Sequence, residues 1–259
     1  MQQTKTNRSF GRLQARDAAE ALREAEIVLI DLDGCLVFEF TPHPAAARLL
    51  QLLDSRYVVL SNNSTETPEG LAAVMAGNGL AIDPQRIILA GALMIDTLVS
   101  EAEGRSVFLL ASPQIRAYAA ERGLAISDGG AADIVALARD AQFTYDKLNE
   151  ALHLLRRGAE FFVSNPDLTH PGTDCMPVIE TGALLALFRA GIPDLTARVI
   201  GKPEPLMFET ALKRFGVAAA EALMIGDNPD TDGLGAARAG IASLLVGPGS
   251  PYGSIADLL

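Results

Sequence analysis

The chain has 259 residues, 49% of them hydrophobic, and a formal net charge of −11. That length buries a large core without staples and fits one domain or a core carrying an insert, while the acidic balance, with no Lys/Arg cluster as a local exception, argues against nucleic acid as a partner. No apolar run approaches the ~18 residues of a membrane span, and Cys35 and Cys175, the only cysteines, lack metal-like spacing, which fits a reducing, cytoplasmic setting.

In chain order, residues 1–26 carry basic groups but no apolar stretch of a signal peptide, and Asp17, Glu20, Glu24 and Glu26 oppose a transit peptide; they read as a tail followed by a helix. EIVLIDLDG from Glu26 then opens a series of short apolar runs alternating with segments of helical period, the pattern of a parallel α/β sheet. YVVLSNN from Tyr57 is a second buried strand. Thr67-Pro68 supplies an N-cap and first-turn proline for a helix whose apolar face is Leu71, Val74 and Met75 and which ends at Gly77-Asn78-Gly79. Further strands are expected at RIILA from Arg86, SVFLLA from Ser106, ADIVALA from Ala132, AEFFVS from Ala159, ARVIG from Ala197, EALMIGD from Glu221 and ASLLVG from Ala242. Polar, Gly/Pro-rich stretches at Glu103-Gly104-Arg105 and from Pro171 to Gly182 flank a β-α-β-α-β pattern. The expected organisation is therefore a discontinuous α/β core, residues 1–104 and 179–259, interrupted by an inserted α/β domain at 105–178.

Open α/β sheets bind ligands beyond the carboxyl ends of their strands, and four apolar runs end there in polar residues. These are Asp31-Leu32-Asp33-Gly34, Ser61-Asn62-Asn63-Ser64, Gly201-Lys202-Pro203 and Gly226-Asp227-Asn228-Pro229-Asp230-Thr231-Asp232. Asp31 and Asp33, on alternate positions of an extended segment, both reach one ion-sized space if the chain turns at Gly34; one suits attack and the other proton transfer. An anionic carboxylate approaching a phosphate needs Mg2+, for which Asp227 is the further ligand. Ser61 offers a hydroxyl and Asn62 a backbone N–H to a phosphoryl oxygen, and Lys202 a fixed positive charge. Taken singly, each fragment matches an ordinary turn, helix entry or surface loop. Their joint occurrence after four strands argues for one reaction centre.

DLDGCL, LSNNS, the lysine of GKPEP and MIGDNPDTD together resemble the four motifs of the haloacid dehalogenase superfamily. The insert, through ARDAQFTYDKLNEALHLLRRGAEFFVSNPD, is similar to the cap of the branch containing nitrophenylphosphatases, phosphoglycolate phosphatases and pyridoxal phosphatases. The resemblance implies a Rossmann-like parallel-sheet core with an inserted α/β cap, and a Mg2+-dependent phosphatase of small phosphorylated metabolites working through an aspartyl-phosphate. It implies Asp31 as nucleophile, Asp33 as general acid and base and, through its main-chain carbonyl, a metal ligand, with Ser61 and Lys202 on the phosphate and Asp227 on the metal. Asp232 would hold Lys202 or a metal-bound water, Asp230 would be a turn residue, and Asn165, Asp167 and His170, in a cap loop over the site, would meet the substrate. A homodimer is also implied. Two stretches depart from the pattern: VFEFTPHP after DLDGCL is more apolar than the usual polar flap, and LTHPGTDCMPVIETG replaces a more glycine-rich hinge.

Other residues have plainer readings. Cys35 lacks the basic neighbour a catalytic thiolate requires and reads as packing; His43 reads as a loop residue, His153 as lying on a helix, and Phe143 and Tyr145 as core. A phosphotransferase or phosphomutase would use the same groups. Carbon–halogen hydrolysis would need neither the lysine with Mg2+ nor Asp33, and a non-catalytic module would predict loss of a key carboxylate or lysine, of which none is lost.

Overall fold

The computed structural model describes residues 18–172 and 176–259; the expected N-terminal tail with Asp17, and Cys175, lie outside them. The strands in chain order are β1 (Ile27–Asp31), β2 (Val37–Phe38), β3 (Thr41–Pro42), β4 (Tyr57–Ser61), β5 (Ile87–Leu89), β6 (Val107–Leu110) and β7 (Ile126–Ser127). They continue with β8 (Ile134–Leu137), β9 (Glu160–Val163), β10 (Thr169–Pro171), β11 (Pro177–Ile179), β12 (Arg198–Val199), β13 (Ala222–Gly226) and β14 (Ala242–Leu245). The helices are α1 (Ala18–Glu24), α2 (Ala46–Leu53), α3 (Pro68–Gly77), α4 (Ala90–Glu101), α5 (Pro113–Glu121), α6 (Tyr145–Arg156), α7 (Thr181–Gly191), α8 (Leu206–Phe215) and α9 (Leu234–Arg238). None of the described helices is long and apolar enough to cross a membrane.

Two parallel sheets organise these elements, one ordered β14-β13-β1-β4-β5 and the other β12-β9-β8-β6-β7. In the first, every residue of β1, β4 and β13 is buried. Their runs IVLI, YVVL and ALMI are apolar without alternation because helices cover both faces of the sheet. Strand order reverses at β1, which has β4 on one side and β13 on the other; the crevice that such a reversal opens lies at the carboxyl ends of these strands.

In the second sheet, alternating side chains serve two cores. Val107, Leu109, Ile134 and Ala136 join the main cluster with Met94, Ile95 and Leu98 of α4 and Ile115 and Ala119 of α5. Phe108, Leu110, Val135 and Leu137 face a separate cluster with Leu148 and Leu154 of α6 and Leu184 and Phe188 of α7. There Phe161 and Phe188 meet edge to face at 5.6 Å and 78°, a geometry worth ~0.5–1.5 kcal/mol beyond its buried area.

Three expectations are corrected. The second sheet does not stop at residue 178, because β12 pairs with β9 and Leu184, Leu185 and Phe188 of α7 fill its core. A two-residue strand carries no local sign of which sheet it joins; here the Arg198 guanidinium stacks 5.3 Å from the Phe162 ring and ion-pairs with Glu101. Phe143 and Tyr145 are exposed, Tyr145 by 79%, because the buried face of α6 begins a turn later at Leu148 and continues through Ala151, Leu154 and Leu155. Val74 is exposed too, since α3 turns Leu71, Ala72 and Met75 inward. The Thr67 cap is present, its side chain accepting from Gly70 N with Pro68 in the first turn.

Candidate active site

Asp31 is the last residue of β1, where burial leaves it 6% exposed. The chain then folds back: Gly34 N–H donates to the Val37 carbonyl at 2.8 Å, and Gly34 takes φ +81°. A Cβ at Gly34 would stand 2.1 Å from an Asp227 oxygen, so glycine here both permits the turn and lets Asp227 approach. Asp227 follows β13, and a π-type turn at Pro229–Gly233 then brings Asp232, fully buried, back beneath Gly226.

Lys202 joins these carboxylates. Its Nζ donates to Asp31 Oδ1 at 2.5 Å, to Asp232 Oδ1 at 2.7 Å and to the Leu60 carbonyl at 3.3 Å, so its three protons are all used in a site where it is 2% exposed. Burial opposes the lysine's charge, but Asp232 and Asp31 outweigh it and raise its pKa above the ordinary range. Burial pushes Asp31 well up, reinforced by Asp232 and countered by Lys202. Asp227 is raised by burial and then by Asp232, against a lowering hydrogen bond with Asp31.

Oxygens of Asp31, Asp227 and Asp232 all lie within 4.8 Å of one another. Three carboxylates against one lysine leave excess negative charge. An oxygen-only set with this charge fits a hard divalent cation such as Mg2+. Asp232 already accepts from Lys202 through Oδ1 and from Asn228 N–H through Oδ2 at 3.1 Å, which would leave Asp31 and Asp227 as the direct donors to such an ion. The Asp33 carboxylate stands outside this group. It is exposed at the rim and accepts from Ser61 Oγ at 3.3 Å. Ser61 itself is buried at the end of β4.

Asn62 has a role its sequence position did not reveal. Its Oδ1 accepts from Lys202 N–H at 2.8 Å, and its Nδ2 donates to the Lys202 carbonyl at 3.0 Å and to Asp167 Oδ2 at 3.0 Å. The carboxamide thus grips the lysine's main chain and ties it to the loop after β9. Asn165 donates to the same Asp167 oxygen at 3.1 Å. Gly201 closes the junction, where a Cβ would meet Asn62 Oδ1 at 2.5 Å and the Ser164 carbonyl at 2.7 Å. The neighbouring loop adds Ser64 Oγ against Thr181 Oγ1 at 3.3 Å and Ser112 Oγ donating to the Thr65 carbonyl at 2.7 Å.

His170, on β10, has its Nδ1 2.7 Å from Glu180 Oε1, and Arg139 Nε stands 3.4 Å from the same oxygen. Neither Glu180 nor Arg139 was anticipated; the one signal was an acidic residue directly before the apolar helix TGALLALF, and Glu180 does cap α7. Asp230 is exposed in the turn. Cys35 is buried and its pKa raised well up by burial, then by Asp31, so it packs as a thiol. His43 accepts from Ala45 N–H within a loop, and His153 lies on α6.

Residues 15–240 match the family model described as haloacid dehalogenase-like hydrolase. The chain is 31% identical over 225 residues to a dihydroxyacetone phosphatase of Corynebacterium glutamicum, covering 85% of this chain and 80% of that one. It is 27% identical over 231 residues to an acid sugar phosphatase of Staphylococcus aureus, with 88% of each covered. Among solved structures, a 4-nitrophenylphosphatase from Thermotoga maritima superposes with TM-score 0.81 at 26% identity over 87% of each chain. A magnesium complex of a glycerol phosphate phosphatase from Mycobacterium tuberculosis gives TM-score 0.80 at 27% identity, over 87% of this chain and 68% of that one.

Proposed function

We propose that this chain, which belongs to the haloacid dehalogenase-like hydrolase family, is a Mg2+-dependent phosphatase that hydrolyses a small phosphorylated metabolite through an aspartyl-phosphate on Asp31. The observation that carries the reading is Lys202 bridging Asp31 and Asp232, with Asp227 beside them, at the carboxyl ends of the core strands. The relatives named for dihydroxyacetone phosphate, sugar phosphates and glycerol phosphate support a small leaving group. Asp31 and Asp227, with the Asp33 main-chain carbonyl, would hold the cation, which when bound neutralises phosphoryl oxygens so that an anionic carboxylate can approach.

Lys202 anchors Asp31 through Oδ1 and sets the plane of its carboxylate. Asp31 attacks phosphorus, the bond to the leaving oxygen breaks, and Asp33 gives that oxygen its proton. Asp33 then takes a proton from a water that attacks the phosphoryl group, releasing phosphate and restoring Asp31. Ser61 and the main-chain N–H of Asn62 would donate to the transferred group's oxygens. The second sheet, running to Val199, is the inserted cap in this reading and supplies Asn165, Asp167 and His170 toward the leaving group. A homodimer in the cytoplasm completes the reading; light scattering of the purified chain checks the first part.

The test is hydrolysis of 4-nitrophenyl phosphate with Mg2+ and with EDTA, together with acid trapping of the phosphoenzyme. Turnover should require the metal, and Asp31→Asn should abolish both turnover and the acid-labile adduct. Full activity in EDTA, or a phosphoenzyme on another residue, would overturn the mechanism.

A further inference from the structure

Asp167 lies in the loop after β9, yet its carboxylate is spent on the core. Gly182 of α7 seats its main chain: the Gly182 N–H donates to the Asp167 carbonyl at 2.8 Å, and a Cβ there would stand 2.7 Å from that carbonyl and run into the Pro166 carbonyl. Asp167 Oδ2 then accepts from two amides, Asn62 at 3.0 Å and Asn165 at 3.1 Å. Asn165 is itself 2% exposed, with its Oδ1 accepting from Ser164 Oγ at 3.1 Å. On the other strand, the pairing of β12 with β9 runs on through Ile200 N–H to the Val163 carbonyl and Gly201 N–H to the Ser164 carbonyl, at 3.0 and 2.7 Å. At Lys202 the Asn62 carboxamide takes over, meeting the N–H at 2.8 Å and the carbonyl at 3.0 Å. Turned over, that amide would set Oδ1 against both the Lys202 carbonyl and the Asp167 carboxylate, and Nδ2 against the Lys202 N–H. Asp167 therefore helps fix which way the Asn62 amide points, and with it the peptide from which the buried Nζ reaches Asp31.

We propose that Asp167 is a positioning residue for Lys202, through which the second sheet takes part in the attack by Asp31 whatever leaving group is bound. The inference rests on the phosphatase reading, and it moves Asp167 from the leaving-group side of that reading to the side of the nucleophile. The link runs from Asp167 to Asn62, from Asn62 to Lys202 and from Lys202 to Asp31, by hydrogen bonds of 3.0, 2.8 and 2.5 Å. Small displacements along it matter, because a misplacement of ~1 Å in a reacting group costs on the order of 10²-fold in rate. The task at Asp167 requires an acceptor oxygen and no charge, since both of its partners are neutral amides.

The experiment measures kcat/KM for the full chain, Asp167→Asn, Asp167→Ala, Asn62→Ala and the double alanine variant on 4-nitrophenyl phosphate and glycerol 3-phosphate. That ratio reports the loss of transition-state stabilisation relative to free enzyme and ester. Asp167→Ala should lower it by the same factor on both esters, about tenfold, equivalent to ~1.4 kcal/mol. Asp167→Asn keeps an oxygen for the two amides and should recover most of that loss. In the Asn62→Ala background, Asp167→Ala should cost less than about twofold more, since coupled residues are non-additive. Hydrogen exchange reads the link without turnover. In Asp167→Ala the Lys202 amide should exchange about tenfold faster while the amides of β1 keep their parent rates, a local opening that a general loss of stability would not produce. Unequal losses on the two esters, no recovery with Asn, additive losses across the two backgrounds, or an unchanged Lys202 amide would each overturn the proposal. Hydrolysis of neither ester by the parent would instead defeat the phosphatase reading, and this inference with it.

Discussion

Removing the Asn62 side chain tests the junction on which Lys202 depends. Asn62→Ala deletes three hydrogen bonds, two to the Lys202 main chain and one to Asp167. At ~0.5–1.5 kcal/mol net for each, the loss should be ~2–4 kcal/mol, which for a chain of this size lowers Tm by about 5 to 15 °C. Asn62→Asp separates hydrogen bonding from shape. It keeps an acceptor for Lys202 N–H but turns a carboxylate oxygen toward the Lys202 carbonyl and Asp167 Oδ2, where Nδ2 now donates. At neutral pH the isosteric variant should therefore be no more stable than Asn62→Ala. Asp167 is already raised by burial, and a second carboxylate beside it raises the folded-state pKa of the pair further. The folded variant then holds a proton that the unfolded chain releases near pH ~4. Relative to the parent, the variant's stability is highest below that pH and is lost as pH rises through the raised folded value. Urea midpoints at pH 5 and pH 8 measure this. An Asn62→Ala loss under ~0.5 kcal/mol, or an Asn62→Asp variant as stable as the parent at pH 8, would show that the clamp contributes nothing.

Gly201→Ala places a methyl 2.5 Å from Asn62 Oδ1 and 2.7 Å from the Ser164 carbonyl; overpacking of this kind should cost ~1–3 kcal/mol by urea unfolding, and an unchanged midpoint would mean the two sheets separate freely there. Asp33→Asn should slow hydrolysis of alkyl phosphates by ~10²–10⁴-fold, with a smaller loss on 4-nitrophenyl phosphate, whose leaving oxygen needs less protonation; equal losses would remove Asp33 as the proton donor. Tyr145→Ser should change stability by under ~0.5 kcal/mol, because the ring is 79% exposed, and a larger loss would restore the core role its sequence position suggested.

Much of the fold and of the site could be read directly from the chain. Continuous apolar runs such as IVLI and ALMI require a parallel sheet covered on both faces, because no polar face remains to meet water. The polar residues ending those runs then converge in space, since the carboxyl ends of parallel strands lie on one edge; hence Asp31, Ser61 and Asp227 were legible, and Thr67-Pro68 announced its helix through local capping chemistry. Other features depended on partners far along the chain. Val199 pairs with Val163 in the second sheet, although a two-residue strand is silent about its neighbour. The amide of Asn62 closes on Lys202 across 140 residues, and Glu180 meets His170 only because a hairpin folds them together. Sequence patterning determines burial and turn chemistry, which are local; which side chain completes another's hydrogen bonds is decided when the two sheets dock, because only then are the donors and acceptors that water had satisfied left to find each other.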